Sequence, residues 1–140
     1  MTKQEMYKLF TGELKLKNIL LINHAFRSNL GTVVSSPAQV TVKQRVSKIS
    51  CKKLDLIVEL IFEVLCMREG KIYWKSTYTY KLFFGLENEE TIRNVLDDDE
   101  LRSVFEKRQV PQFIWPYLRQ ELQTDTSKAG IPIFILPPRK

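Results

Sequence analysis

The 140 residues predict an α+β domain, a four-stranded antiparallel sheet followed by helices packed on one face. Three observations lead there. Four stretches whose apolar residues recur at every second position come first in the chain. Stretches with helical spacing come after them. The third and fourth strands are separated only by a short glycine turn, so they form a hairpin whose apolar faces cover one core.

Residues 1–12 form a short amphipathic lead in which Met6, Leu9 and Phe10 make the apolar face of one helical turn. From Leu14 the period changes to two. Leu14, Leu16, Leu20 and Ile22 share one face of the first strand, with Lys15 and Lys17 opposite. Residues 23–38 read as a loop, because Asn29, Gly31, Ser35, Ser36 and Pro37 all favour turn backbone. Yet this loop carries Phe26, Leu30, Val33 and Val34. A long loop with apolar residues is expected to be covered or functional.

Residues 40–50 alternate through Val40, Val42 and Val46 as the second strand. Residues 54–68 are the strongest strand. Leu56, Val58, Leu60, Phe62, Val64 and Cys66 make one apolar face; Asp55, Glu59 and Glu63, with Ile57 and Ile61, make the other. Helical spacing would scatter these carboxylates around the apolar ring, whereas strand spacing sorts them to one side. Arg68, Glu69 and Gly70 make the turn. Ile72, Trp74, Tyr78, Tyr80, Leu82 and Phe84 then share a face, with Lys71, Lys75, Thr77, Thr79 and Lys81 opposite.

Residues 87–107 are helical. Asn88 is placed as an N-cap, with Glu89 and Glu90 in a first turn that favours negative charge. Ile92, Val95 and Leu96 form one apolar patch and Leu101, Val104 and Phe105 a second. The acidic run Asp97, Asp98, Asp99 and Glu100 lies between them and caps a helix beginning near Asp99. Residues 112–138 then read as a helix, a stop and an extended segment. Pro116 suits a first helical turn, where its missing N–H costs least. Ile114, Leu118 and Leu122 give one apolar face, residues 124–129 are polar, and Gly130 is placed as a C-terminal cap. Residues 131–136 are an apolar run closed by Pro137 and Pro138, which suits an edge strand or a covering segment.

Composition bounds the function. The chain is 44% hydrophobic and 27% charged, as expected of one soluble domain over residues 1–140. No apolar run is long enough to span a bilayer; the longest candidate, residues 54–67, is broken by Asp55, Glu59 and Glu63. The charged N-terminus has no signal-peptide core, so the expected compartment is the cytoplasm, with Cys51 and Cys66 as reduced thiols. The net charge of +6 attracts nucleic acid, anionic membrane or acidic polypeptide, or is simply a solvated basic surface.

No catalytic constellation stands out. His24, the single histidine, has no motif supplying a nucleophile or an orienting carboxylate, and reads as a loop residue without a role. Cys51 and Cys66 lack the spacing and companions of a zinc set, and Cys66 reads as a small core residue. The acidic run lacks the glycine and alternating oxygens of a calcium loop. Gly12, Gly31, Gly70, Gly85 and Gly130 are isolated, so no phosphate loop is present. A non-enzymatic protein without metal or cofactor is expected. The aromatic residues are more informative. Most of Trp74, Tyr78, Tyr80, Phe84, Phe113, Trp115 and Tyr117 belong to a core. Some are expected to line a groove for extended apolar segments, since rings offer large contact area at small entropic cost. Phe26, Leu30, Val33 and Val34 are the first candidates, joined by Tyr78, Phe113 and Trp115.

The last helix and the segment after it resemble the export chaperone SecB. An aromatic-Pro-Tyr-x-Arg sequence opens a long helix in that family and stands here as Trp115, Pro116, Tyr117, Leu118 and Arg119. A basic and a small residue come next at the helix end, Lys128 and Ala129, then Pro132, Phe134, Leu136 and Pro138, without a gap. The resemblance implies the same sheet-then-helices fold, a tetramer of paired dimers, and an ATP-independent chaperone that holds unfolded polypeptides in apolar grooves bordered by the loop after the first strand. It also brings departures. Residues 87–107 are longer than the equivalent connection. The sequence ends at Arg139 and Lys140, where familiar members continue into a helix that helps line the groove, so one groove wall is expected to be missing or supplied differently. The family docks the motor SecA through outward carboxylates. Here Lys15, Lys17, Asn18 and Ile22 stand in that region, and weak or absent SecA binding is expected. Clients are then pre-secretory proteins or one dedicated partner such as an antitoxin. The rival class is a basic nucleic-acid-binding or regulatory protein on a sheet scaffold, although Tyr78 and Tyr80 lack an RNA-binding signature.

Overall fold

The computed structural model describes residues 1–28, 39–68 and 70–129. The N-terminal lead is a full helix, α1 (Lys3–Glu13), because Thr2 caps it, its Oγ1 accepting from the Glu5 N–H at 3.1 Å. Phe10 is its one buried residue, while Leu9 stays on the surface.

Four long strands come next, β1 (Lys15–Ser28), β2 (Gln39–Lys52), β3 (Asp55–Arg68) and β4 (Lys71–Gly85). All neighbours are antiparallel, in the order β1-β4-β3-β2, so β1 and β2 are the two edges. Residues 29–38 join those edges and lie outside the described residues, as do Leu30, Val33 and Val34. The β3–β4 turn uses Gly70 at φ +76°, a left-handed backbone that glycine adopts without a Cβ clash.

The first strand corrects two expectations. Residues 23–28 are not loop; they continue β1 to Ser28. The expected inward set also fails. The register slips between Leu16 and Asn18 and again between Leu21 and Asn23. Each bulge adds one residue and exchanges the two faces of everything beyond it. Leu16, Ile19, Leu21, His24 and Phe26 therefore lie opposite Phe84, Leu82, Tyr80, Tyr78 and Ser76, while Leu20 and Ile22 are exposed. A further slip between Cys66 and Met67 turns Ile72 off the buried face of β4 in the same way. The rest of that face holds as expected: Leu56 to Cys66 on β3, and Trp74, Tyr78, Tyr80, Leu82 and Phe84 on β4, are all buried.

Helices cover this one face. α2 (Glu89–Leu96) starts at the expected cap Asn88, whose side chain accepts from the Glu90 N–H. α3 (Asp99–Val104) is capped by Asp98, which accepts from the N–H groups of Glu100 and Leu101. A π-helical turn, Phe105–Gln109, then leads into α4 (Val110–Lys128). Pro116 is not in a first turn. The helix begins earlier, with Pro111 at its start, and Pro116 lies inside it on the exposed side. Gln112, whose carbonyl loses its N–H partner, is exposed as well, so water can take that partner's place and an interior proline persists. Phe105 packs edge-on against Phe10 at 5.1 Å and against Phe84 at 6.2 Å, joining α1, the π turn and the sheet in one core.

Candidate functional site

α4 lies along β4, running antiparallel to it. Its apolar stripe of Ile114, Leu118 and Leu122 is fully buried on the sheet. The side chains flanking that stripe mark a path across the covered face. Phe113 meets Phe84 edge-on at 5.2 Å, and Trp115 meets Phe62 at 6.3 Å. Three turns further on, Asp125 reaches the strands. Its Oδ2 stands 2.7 Å from His24 Nε2 and accepts the hydroxyl hydrogen of Tyr78. The His24 ring stacks on Tyr78 with centroids 5.0 Å apart. Beyond the reach of α4, Phe26 stacks on Trp74 at 5.7 Å, two residues before β1 enters residues 29–38.

The polar cluster corrects the reading of His24. It is a strand residue with an orienting carboxylate, not an idle loop residue. The second β1 bulge brings it to the covered face, and its side chain remains about 34% exposed while that of Asp125 is about 8% exposed. Burial, and after it the hydrogen bond to Asp125, holds the Tyr78 hydroxyl well above the ordinary phenol range. Tyr80 is raised as well, first by burial and then by the charges of Glu121 and Asp125. Asp125 is hard to single out in the sequence because residues 124–129 look uniformly polar. The available signal is periodicity: Asp125 and Thr126 continue the stripe of Leu118 and Leu122 by three and four residues, and both are buried.

His24, Glu121 and Asp125 each offer a ligand atom, all within 4.8 Å of one another, a donor set that suits a divalent transition metal. Asp125 already accepts from Tyr78 and pairs with His24, so this carboxylate is satisfied by protein groups alone. The cluster works as a clasp between the end of α4 and the β1–β4 pair.

The expected groove residues fall into three groups. Leu30, Val33 and Val34 lie outside the described residues. Phe26, Phe113 and Trp115 are half-buried, each with a ring partner and a remaining exposed portion. Tyr78 is fully buried with its hydroxyl committed to Asp125, so it anchors the fold and presents no surface to a client.

No protein-family model matches the chain, and no curated protein matches it. Among solved structures, a SecB-like chaperone of Mycobacterium tuberculosis, in complex with a ChAD peptide from the HigA1 antitoxin, superposes with a TM-score of 0.79. The match covers 98% of each chain at 9% sequence identity. The chain has the SecB-like fold. A protein of unknown function from Streptococcus agalactiae matches more loosely, with a TM-score of 0.46 at 10% identity over 89% of this chain and 97% of that one.

Within the SecB-like fold the expected motif residues take separate positions on α4. Trp115 packs on the sheet, Pro116 and Tyr117 face outward, and Arg119 is half-buried. Pro132 and Pro138 lie outside the described residues. Among the described residues no helix is long and apolar enough to cross a membrane.

Proposed function

We propose that this protein is an ATP-independent holding chaperone of the cytoplasm that binds unfolded or nascent polypeptide through apolar contacts and keeps it from aggregating. The observation that carries the reading is the SecB-like fold, matched along 98% of a chaperone that holds a peptide. The aromatic pair Phe26 and Trp74 supports it, since the pair sits where β1 runs into an apolar connection. The ring of Phe26 retains exposed area there and offers an extended segment a broad apolar contact. A free exposed Cys51 and a buried Cys66 suit a reducing compartment. By analogy with the neighbour's antitoxin peptide, one dedicated protein client fits as well as many precursors.

The active form we propose is a homo-oligomer, a tetramer of paired dimers, in which several modest contacts act together. An edge without a strand neighbour among the described residues is β1, fourteen residues long, with Leu20 and Ile22 44% and 49% exposed. SecA binding is expected to be weak, because the outward side of β1 carries Lys15 and Lys17. The direct test is suppression of light scattering from a chemically unfolded substrate diluted into buffer. Dose-dependent suppression without nucleotide is expected; scattering unchanged at an excess of the protein would refute the reading.

A further inference from the structure

We infer that the open face of the sheet, the one turned away from the helices, is a docking surface for an acidic polypeptide. The register assigns its residues. β1 contributes Lys15 and Arg27, with Lys17, the bulge residue that the pairing skips, placed here by its contact with Asp55; β2 contributes Lys43, Arg45, Lys48 and Lys52, and β4 contributes Lys75 and Lys81. Among the described strand residues, Asp55, Glu59 and Glu63 of β3 are the acidic ones that oppose them. Nine basic against three acidic residues leave a surplus of six on this face. The whole chain has 22 against 16, the same surplus, so the rest of the sequence balances to zero. The charge that looks spread along the sequence is gathered on one side by strand alternation.

The arrangement is ordered within the face. Each carboxylate is bracketed by lysine: Lys17 to Asp55 at 3.3 Å, Lys75 to Glu63 at 3.6 Å, and Glu59 in register with Lys48 and Lys81. The central strand is thus locally neutral, and the unmatched positive charge runs along the two edges. Between them lies a depression of about 430 Å³ in which Ile61 stands among Lys43, Arg45, Glu63 and Thr77. Ile57 occupies a smaller one beside Lys48 and Lys81. Apolar anchors in shallow depressions with a cationic rim fit a protein surface bearing carboxylates around an apolar side chain.

Two nearby alternatives fit this face less well. A second copy docking by the same face would oppose two surfaces of equal positive charge. A phosphate backbone brings no apolar side chain to the depressions at Ile57 and Ile61, whereas a polypeptide does.

The test is fluorescence anisotropy with a labelled synthetic peptide of glutamate and aspartate with interspersed leucines, beside single-stranded DNA of matched charge. Lys43→Glu with Arg45→Glu should weaken peptide binding by about tenfold or more. Lys8→Glu with Lys128→Glu, the same charge change away from the face, should alter it by less than about twofold. Lys43→Gln with Arg45→Gln should give a smaller loss in the same direction and decides the matter if the glutamate pair fails to fold. Absence of peptide binding, equal loss in both glutamate pairs, or tighter binding of DNA than of peptide would overturn the assignment.

Discussion

Asp125→Ala opens the clasp that holds the end of α4 to β1 and β4, and its cost comes from the two donors it strands. Tyr78 is fully buried and loses the acceptor of its hydroxyl, which costs about 1–3 kcal/mol as an unsatisfied buried donor. His24 is about a third exposed, so water replaces much of its lost bond and adds at most about 1 kcal/mol. The expected destabilisation is about 1–4 kcal/mol, read from the urea midpoint at unchanged slope. Tyr78→Phe alone should cost about 1–2 kcal/mol, because it removes one donor from a carboxylate that keeps another. The double variant should cost clearly less than the sum, since no orphaned hydroxyl remains once both partners are gone. Asp125→Ala within about 0.5 kcal/mol of the wild type, or strict additivity in the cycle, would show that the clasp carries no stability and refute the reasoning.

Three further outcomes are expected from the same structure. Asp98→Ala should lower the melting temperature and flatten its acid limb. The Leu101 N–H, before any other contact, holds this carboxylate below its ordinary range, so its contribution is present above the unfolded carboxylate value and is lost as pH falls through the folded one. At the other extreme, Tyr78 and Tyr80 are held above the ordinary phenol value of about 10, so unfolding is favoured as pH rises past that value. Alkaline melting monitored by tyrosine absorbance should show these two phenols ionising only with unfolding. Cys51 is exposed and Cys66 buried, so a thiol reagent should label one site at once and the second only as the protein opens; simultaneous labelling would contradict the placement of Cys66.

The fold is legible wherever one period runs unbroken. β3 shows strict alternation from Leu56 to Cys66, and every residue of that set is buried. Asn88 and Asp98 are legible as caps because their side chains have few other uses before an apolar patch. Legibility fails where one inserted residue changes the phase. The bulges of β1 reverse its faces, and nothing local in Leu16 to Asn23 announces them, since the slip is set by pairing with β4. The same slip moves His24 from an expected loop to the covered face, where a carboxylate 101 residues away meets it. Such a pair has no local spacing to betray it. The helix boundary near Pro116 is hidden because Val110 and Pro111 begin the helix without a side-chain cap, the π turn feeding directly into it. Of the groove candidates, Phe26 stands at the edge of the covered face, and Tyr78 is too well packed to serve.

The central claim is that apolar residues near the end of β1 hold a client and do not merely fill the core. Phe26→Ala with Leu30→Ala tests it against Phe62→Ala, each measured by thermal melting beside suppression of aggregation of an unfolded substrate. Phe62 is fully buried, so its truncation should cost about 3–5 kcal/mol, while the half-buried Phe26 stacked on Trp74 should cost far less. A client-holding role predicts that the double variant melts close to the wild type, keeps its oligomeric state and loses suppression. Equal suppression by the wild type and the double variant would contradict it.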